Sequence, residues 1–301
     1  MIFDLPNTST REIAKQLSRI RDMGAQVTTG RVLTLIVIAD KDQSIDEVMR
    51  VTTDATREHP ARILILTAEP NSAENRLDAD VRIGGDAGAS EIINMHFYGE
   101  LAQQRAAVVT PLLLPDTPIV SWWPRTAPLD PSSVPLGAIA QRRITDALND
   151  PGDGALALRR SNYTPGDSDL AWSRITQWRG VVATCLDGPQ TDPVAQAIVA
   201  GPVNDPSVDL AAAWLADRLG ITVSRKEADT LRAQLIRNVD KIELEVVDDH
   251  TLRVCMPGRK PALVALNRPT TADCLSEELS HLEADSAYAR TLRALNKVRY
   301  Q

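Results

Sequence analysis

Arg31-Val-Leu-Thr-Leu-Ile-Val-Ile38, Ser44 to Ala55, and Arg62-Ile-Leu-Ile-Leu66 are the three stretches that decide the fold. The first and third are near-continuous runs of β-branched and aliphatic residues, the pattern of strands buried on both faces of a covered sheet. Between them, Ser44 stands as an N-cap, and Ile45, Val48, Val51 and Ala55 recur at helical spacing before Pro60. Strand, helix, strand over residues 31–66 predicts a βαβ unit with parallel strands.

Outward from this unit, Ser9 or Thr10 caps a helix carrying Ile13, Leu17 and Ile20, which Gly24 stops. Leu77 to Ile83 and Glu91 to Phe97 alternate in part around Gly84-Gly-Asp-Ala-Gly88 and read as a hairpin at a sheet edge. Tyr98 to Val109 reads as a helix, Ile119 to Trp123 as a strand, and Asp167 to Leu186 as one long helix. Gly137 to Leu148 suits a strand followed by a helix, without local signals that decide it. Asp187-Gly-Pro-Gln-Thr-Asp-Pro193 has the turn chemistry of a linker. It divides the chain into residues 1–189, an α/β domain with a Rossmann-like, largely parallel sheet, and residues 190–301, a smaller α+β domain. The second part carries a strand over 194–199 and a helix from Asp209 to Leu219, primed by Asp205-Pro206 and closed by Gly220. Ile242 to Val247 and Thr251 to Met256 form a hairpin around Asp248-Asp-His250. A short strand follows at Leu263 to Leu266, then helices at 272–282 and 287–298.

A length of 301 residues agrees with about two domains. Hydrophobic residues at 43% and charged ones at 24% exclude wholesale disorder, and aromatics at 4% leave a core of Ala, Leu, Ile and Val. Against 40 Asp and Glu stand 33 Lys and Arg, a net charge of −7. That balance lacks the basic footprint of a nucleic-acid binder or of a protein held on an anionic membrane. The first residues have no secretory pattern, and the apolar run Val32 to Ala39 is far too short to span a bilayer. Cys185, Cys255 and Cys274 form no Cys-x-x-Cys pair, so neither a disulfide framework nor a zinc ribbon is readable, and reduced thiols in a cytoplasmic protein are expected.

Motifs of nucleotide and hydrolase chemistry are missing. Gly84-Gly85-Asp-Ala-Gly88 has the wrong spacing for a dinucleotide fingerprint and precedes a strand rather than a helix. Arg31 opens a strand where a phosphate loop needs Lys-Ser/Thr opening a helix, and no Gly-x-Ser-x-Gly elbow occurs. The four histidines, His59, His96, His250 and His281, make no metal-binding pattern. Glu278-Leu-Ser-His281 has the spacing of one half of a di-iron motif but reads as a solvated helix face. His96 reads as a partly buried, hydrogen-bonded residue. Asp248-Asp249 reads as turn chemistry and Asp167-Ser-Asp169 as a helix cap. Arg142-Arg143 and Arg159-Arg160 suit either exposed loops or the gripping of a partner's carboxylates or a phosphate.

Pro111 to Pro124 stands apart, with a triple leucine, four prolines and the adjacent Trp122 and Trp123. Neighbours on a strand face opposite ways, so the two rings cannot enter one core from one side. At least one is expected to be substantially exposed and available to a protein partner, where Trp is enriched. Trp122, Trp123, Pro124, Arg125, Arg142 and Arg143 are therefore the candidate partner-binding residues.

Several stretches resemble the glucose-6-phosphate dehydrogenase assembly protein family, OpcA. They are Glu58-His-Pro-Ala-Arg-Ile-Leu-Ile-Leu66, Ser90-Glu-Ile-Ile93, Leu113-Leu-Pro-Asp-Thr-Pro-Ile-Val-Ser-Trp-Trp-Pro124 and Arg142-Arg-Ile-Thr-Asp146. Asp169-Leu-Ala-Trp-Ser-Arg-Ile-Thr-Gln-Trp-Arg179 and Glu277 to Tyr288 continue the likeness in the family's order, while residues 225–260 carry little of it. The resemblance implies a non-catalytic protein with no cofactor or catalytic residue of its own. Its implied role is to bind glucose-6-phosphate dehydrogenase and promote its oligomeric, active form in the oxidative pentose phosphate pathway. The alternative is a regulator or enzyme that binds a phosphosugar or nucleotide. Its pocket would lie at the carboxyl ends of the first sheet, after Ala39 and Thr67, with Arg125 or Arg143 nearby.

Overall fold

The computed structural model describes residues 1–22, 32–83, 91–152, 154–187 and 192–301. In chain order its strands and α-helices begin β1 (Ile2–Leu5), α1 (Thr10–Asp22), β2 (Leu33–Ile38), α2 (Ile45–Ala55), β3 (Ala61–Glu69), β4 (Leu77–Ile83) and β5 (Glu91–Tyr98). They continue with α3 (Arg105–Val109), β6 (Ile119–Trp122), α4 (Pro135–Ala138), β7 (Arg142–Thr145), α5 (Ala155–Ser161), β8 (Asp167–Asp169), α6 (Leu170–Ser173) and α7 (Thr176–Leu186). The remainder is β9 (Gln196–Gly201), α8 (Pro206–Leu219), β10 (Val223–Glu227), β11 (Arg232–Ile236), β12 (Lys241–Asp248) and β13 (Thr251–Cys255), then β14 (Ala262–Ala265), α9 (Thr271–Ser280), α10 (Ser286–Ala294) and β15 (Val298–Tyr300).

The apolar runs of the opening unit form the centre of an eight-stranded sheet ordered β1-β4-β5-β3-β2-β6-β7-β8. Strands β5, β3, β2, β6 and β7 run parallel, and β4 and β1 add an antiparallel margin. All six residues of β2 and the first seven of β3 are buried, as two-sided coverage requires. On one face Ile13, Leu17 and Ile20 of α1 share a cluster with Ile36, Ile38, Leu64 and Leu66. Ser9 caps α1, accepting from the Glu12 N–H while its hydroxyl donates to the Glu12 carboxylate, and Ser44 caps α2. The α/β architecture with a largely parallel sheet is as the sequence predicts.

The second sheet is ordered β14-β13-β12-β11-β9-β10-β15 and is mainly antiparallel, with β10 parallel to both β9 and β15. Helix α8 packs on β9 and β10. Asp205 accepts from the Ser207 N–H at 2.9 Å, Pro206 opens the helix, and Gly220 closes it at φ 70°. The hairpin around Asp248–His250 is present as β12 and β13.

Several expectations change. The hairpin β4–β5 is paired as predicted but does not form the sheet edge, because β1 adds outside β4; its turn, residues 84–90, lies outside the described residues. The helix predicted over Tyr98–Val109 divides into a 3-10 turn at Gly99–Gln103 and the five-residue α3. Gly99 sits at φ 61° against Asn75 and Glu74, where a side chain has no room. Asp167–Leu186 is not one helix but β8, α6 and α7, with the Asp169 carboxylate accepting from the Ala171 N–H at 3.0 Å to start α6. The stretch read as strand then helix holds both in the opposite order, α4 and then β7.

The boundary expected at 189/190 lies outside the described residues, and the compact units divide the chain elsewhere. One unit is residues 1–153, 164–168 and 271–284; the other is 154–163, 169–270 and 285–301. Residues 271–284 return to the first unit, where α9 packs on α2. Buried Arg142 on β7 is ion-paired to buried Glu278 on α9, and Arg142 Nη1 donates to the Glu283 carbonyl at 3.1 Å.

One backbone position supports the tryptophan region directly. At Gly137 in α4 a Cβ would overlap the Pro131 carbonyl oxygen and press on the Trp123 ring. Gly137→Ala should therefore destabilise the protein by about 1–3 kcal/mol through overpacking, read as a lower urea midpoint with unchanged slope.

Candidate functional site

Strand β6 ends where β2 ends, with Trp122 opposite Val37. The alternation along it sends successive rings to opposite faces. Trp123 joins the cluster formed with α1, Ile36, Leu64 and Leu136, and its N–H donates to the Ile144 carbonyl at 3.0 Å. Trp122 lies on the other side, lining a cavity of about 300 Å³ with Val48 and Val51 of α2, Pro124, Arg125 and Thr271. Opposite faces are thus as predicted. The expected exposure is wrong: Trp122 is 1% exposed and Trp123 is 4%, because helices cover both faces of this sheet. Pro124 is buried as well.

The arginine pair is also interior. Arg142 donates to Glu278, whose Oε2 also accepts from Ser168 Oγ at 2.5 Å. Arg143 Nε donates to Asp167 Oδ1 at 2.5 Å, Nη1 to the Ala140 carbonyl at 2.8 Å and Nη2 to the Pro165 carbonyl at 2.7 Å. Burial pushes the Asp167 carboxyl above its ordinary range, against the opposing pull of Arg143. These guanidiniums hold β7 to the segments beside it and have no free fork for a partner. Arg159 is likewise buried, against Asp169, and Glu278 is no solvated helix face. Of the six candidate residues, Arg125 is the one left at the surface, its side chain 38% exposed. Its Nη1 donates to Asp42 Oδ2 at 2.8 Å, which holds the Asp42 carboxyl below its usual range, and its Nε lies 3.9 Å from Asp40.

The carboxyl ends of β2, β3 and β6 enclose a larger cleft of about 490 Å³, lined among others by Asp40, Lys41, Ala68, Arg105, Trp123 and Leu136. Residues after Ala39 and Thr67 do line it, as the alternative sequence reading required. Arg105 stands there rather than Arg125 or Arg143. Beside the cleft runs a polar chain in which Lys41 Nζ meets Glu69 Oε2 at 2.7 Å, Glu69 Oε1 meets His96 Nε2 at 3.1 Å, and His96 Nδ1 meets Thr67 Oγ1 at 2.7 Å. The Lys41 contact is the main reason the Glu69 carboxyl lies below its usual range. Sequence reasoning missed Lys41, Glu69 and Arg105: Lys41 follows β2, Glu69 ends β3 and Arg105 opens α3, places that meet only once the strands are aligned. Among the described residues no group of three or more His, Cys, Asp or Glu could hold a metal ion, and no helix is long and apolar enough to cross a membrane.

The geometry separates structural from surface roles by stability. Trp122→Ala and Trp123→Ala should each lose about 3–5 kcal/mol, and Glu278→Ala, which strands buried Arg142, a similar 3–5 kcal/mol or so. Arg125→Ala should stay within about 1 kcal/mol of the parent. Chemical denaturation of the four variants measures this; a neutral Glu278→Ala would contradict the assigned role of the pair.

Comparison with curated protein sequences finds no significant match. Among solved structures, the chain is similar to KijD10, a 3-ketoreductase from Actinomadura kijaniata, at 8% identity and a TM-score of 0.47, covering 89% of this chain and 98% of that one. A Gfo/Idh/MocA family oxidoreductase from Vibrio cholerae gives 9% identity and a TM-score of 0.44 over 87% and 94% of the two chains. A levoglucosan dehydrogenase gives 8% and 0.40 over 88% of each. These likenesses are too distant to carry function. Two family descriptions match the sequence itself: glucose-6-phosphate dehydrogenase subunit N-terminal domain over residues 52–161, and the C-terminal domain of the same subunit over residues 165–292. The second match includes residues 225–260, where the sequence resemblance is weakest. With both halves matched in order, the chain belongs to the glucose-6-phosphate dehydrogenase assembly protein (OpcA) family.

Proposed function

We propose that this chain is a non-catalytic, cytoplasmic assembly protein that binds glucose-6-phosphate dehydrogenase and promotes its oligomeric, active form. The observation that carries this reading is the ordered pair of family domains spanning residues 52–292. The first parallel βα turn supports it. Between β2 and α2 the chain reads Ala39-Asp-Lys-Asp-Gln-Ser44, with no glycine to let backbone approach a pyrophosphate. The nicotinamide chemistry then belongs to the dehydrogenase. Within the candidate set the partner contact falls to Arg125, whose fork is at the surface between Asp40 and Asp42. A rim arginine of this kind steers and orients a partner more than it supplies raw affinity.

Capture of the purified dehydrogenase by this chain, paired with glucose 6-phosphate oxidation with and without it, tests the proposal. The expected result is saturable capture and raised dehydrogenase activity, with no oxidation by this chain alone. Arg125→Ala should weaken capture by up to about tenfold, chiefly by slower association at low salt. Oxidation by the isolated chain, or no capture at micromolar concentrations of both proteins, would overturn the reading.

A further inference from the structure

Among the described residues, each fully buried arginine has a carboxylate partner: Arg62 with Glu91, Arg142 with Glu278, Arg143 with Asp167, Arg159 with Asp169, and Arg225 with Asp209. Arg105, which lines the larger cleft, is held differently. It is partly buried at the start of α3 and lines the cleft of about 490 Å³, yet it has no hydrogen bond or ion pair with any described residue. Burial pulls its guanidinium below the usual range, and no carboxylate offsets that pull. Withdrawing a guanidinium from water is unfavourable unless an anion meets it.

We propose that this cleft, at the carboxyl ends of β2, β3 and β6, binds a small phosphorylated polyol whose phosphate is taken by Arg105. The other lining groups suit the rest of such a ligand. Lys41 also lines the cleft, with its ammonium paired to Glu69 at 2.7 Å. Asp40 offers a carboxylate that accepts from hydroxyls, as it already does from Thr126 Oγ1 at 2.6 Å, and Arg125 Nε lies 3.9 Å from it. Trp123 and Leu136 supply an apolar wall for the C–H face of a sugar. The volume lies in the range of about 300–1,000 Å³ usual for small-molecule sites, and the position is where open parallel sheets bind ligands. The site belongs to this chain alone and does not rest on dehydrogenase binding, so either proposal can fail without the other.

Titration calorimetry on the full chain tests it, with ribose 5-phosphate, glucose 6-phosphate, ribose, glucose and inorganic phosphate as probes. Saturable binding is expected for at least one sugar phosphate and for neither free sugar. Arg105→Gln should weaken it by about tenfold or more, since a charge-assisted fork is lost. Ala106→Trp, which fills the cleft, should abolish it, and it carries the test if Arg105→Gln fails to fold. Arg50→Gln on the exposed face of α2 should leave binding unchanged. The proposal is overturned if no sugar phosphate gives saturable heat up to about 10 mM, or if both cleft variants bind like the parent. Inorganic phosphate binding as tightly as the sugar phosphates would overturn the assignment of a polyol.

Discussion

Trp122 stands beside Val37 in adjacent parallel strands, and the next residue, Trp123, turns to the opposite face of the same sheet. That single alternation anchors the first unit. One ring closes the cluster under α1 and the other closes the side lined by α2, so β6 is held from above and below. In a chain with two phenylalanines and five tryptophans, these rings supply much of the large apolar volume at the sheet's carboxyl edge. The two cavities form on either side of them, and Gly137 is small because Trp123 and the Pro131 carbonyl leave no space for more.

Buried ion pairs supply the second constraint. Arg62–Glu91 ties the starts of β3 and β5, Arg143–Asp167 ties β7 to the start of β8, and Arg142–Glu278 joins α9 to β7 from far along the chain. Such pairs contribute little net stability against an apolar replacement, but removing one partner is costly. Their effect is to specify which segments meet. Residues 271–284 join the first unit through this charge on β7 and through the packing of α9 on α2.

This division explains how much of the molecule was legible in the sequence. The runs at 31–38 and 62–66 could be read because strands buried on both faces need continuous apolar residues, and Ser9, Ser44 and Asp205 could be read as caps because their chemistry is local. Val223-Ser-Arg-Lys-Glu227 and Arg232 to Ile236 were not recognised as strands; they are short, half polar, and take their order from pairing with β9. The tryptophans' opposite faces followed from local geometry, but their burial depends on helices arriving from elsewhere. Arg142 and Arg143 read as surface groups because a sequence displays a charge without its partner, and Glu278 lies far downstream. Arg105 was hidden for the converse reason: nothing local marks a cation left without a carboxylate.

The proposed function has the chain act through a complex with the dehydrogenase rather than through chemistry of its own. Sedimentation velocity of the purified dehydrogenase, alone and with increasing amounts of this chain, tests it most directly. A new, faster species containing both chains is expected, at the expense of smaller dehydrogenase forms and saturating at a fixed ratio. Two boundaries that keep their separate sedimentation coefficients at every ratio would contradict it.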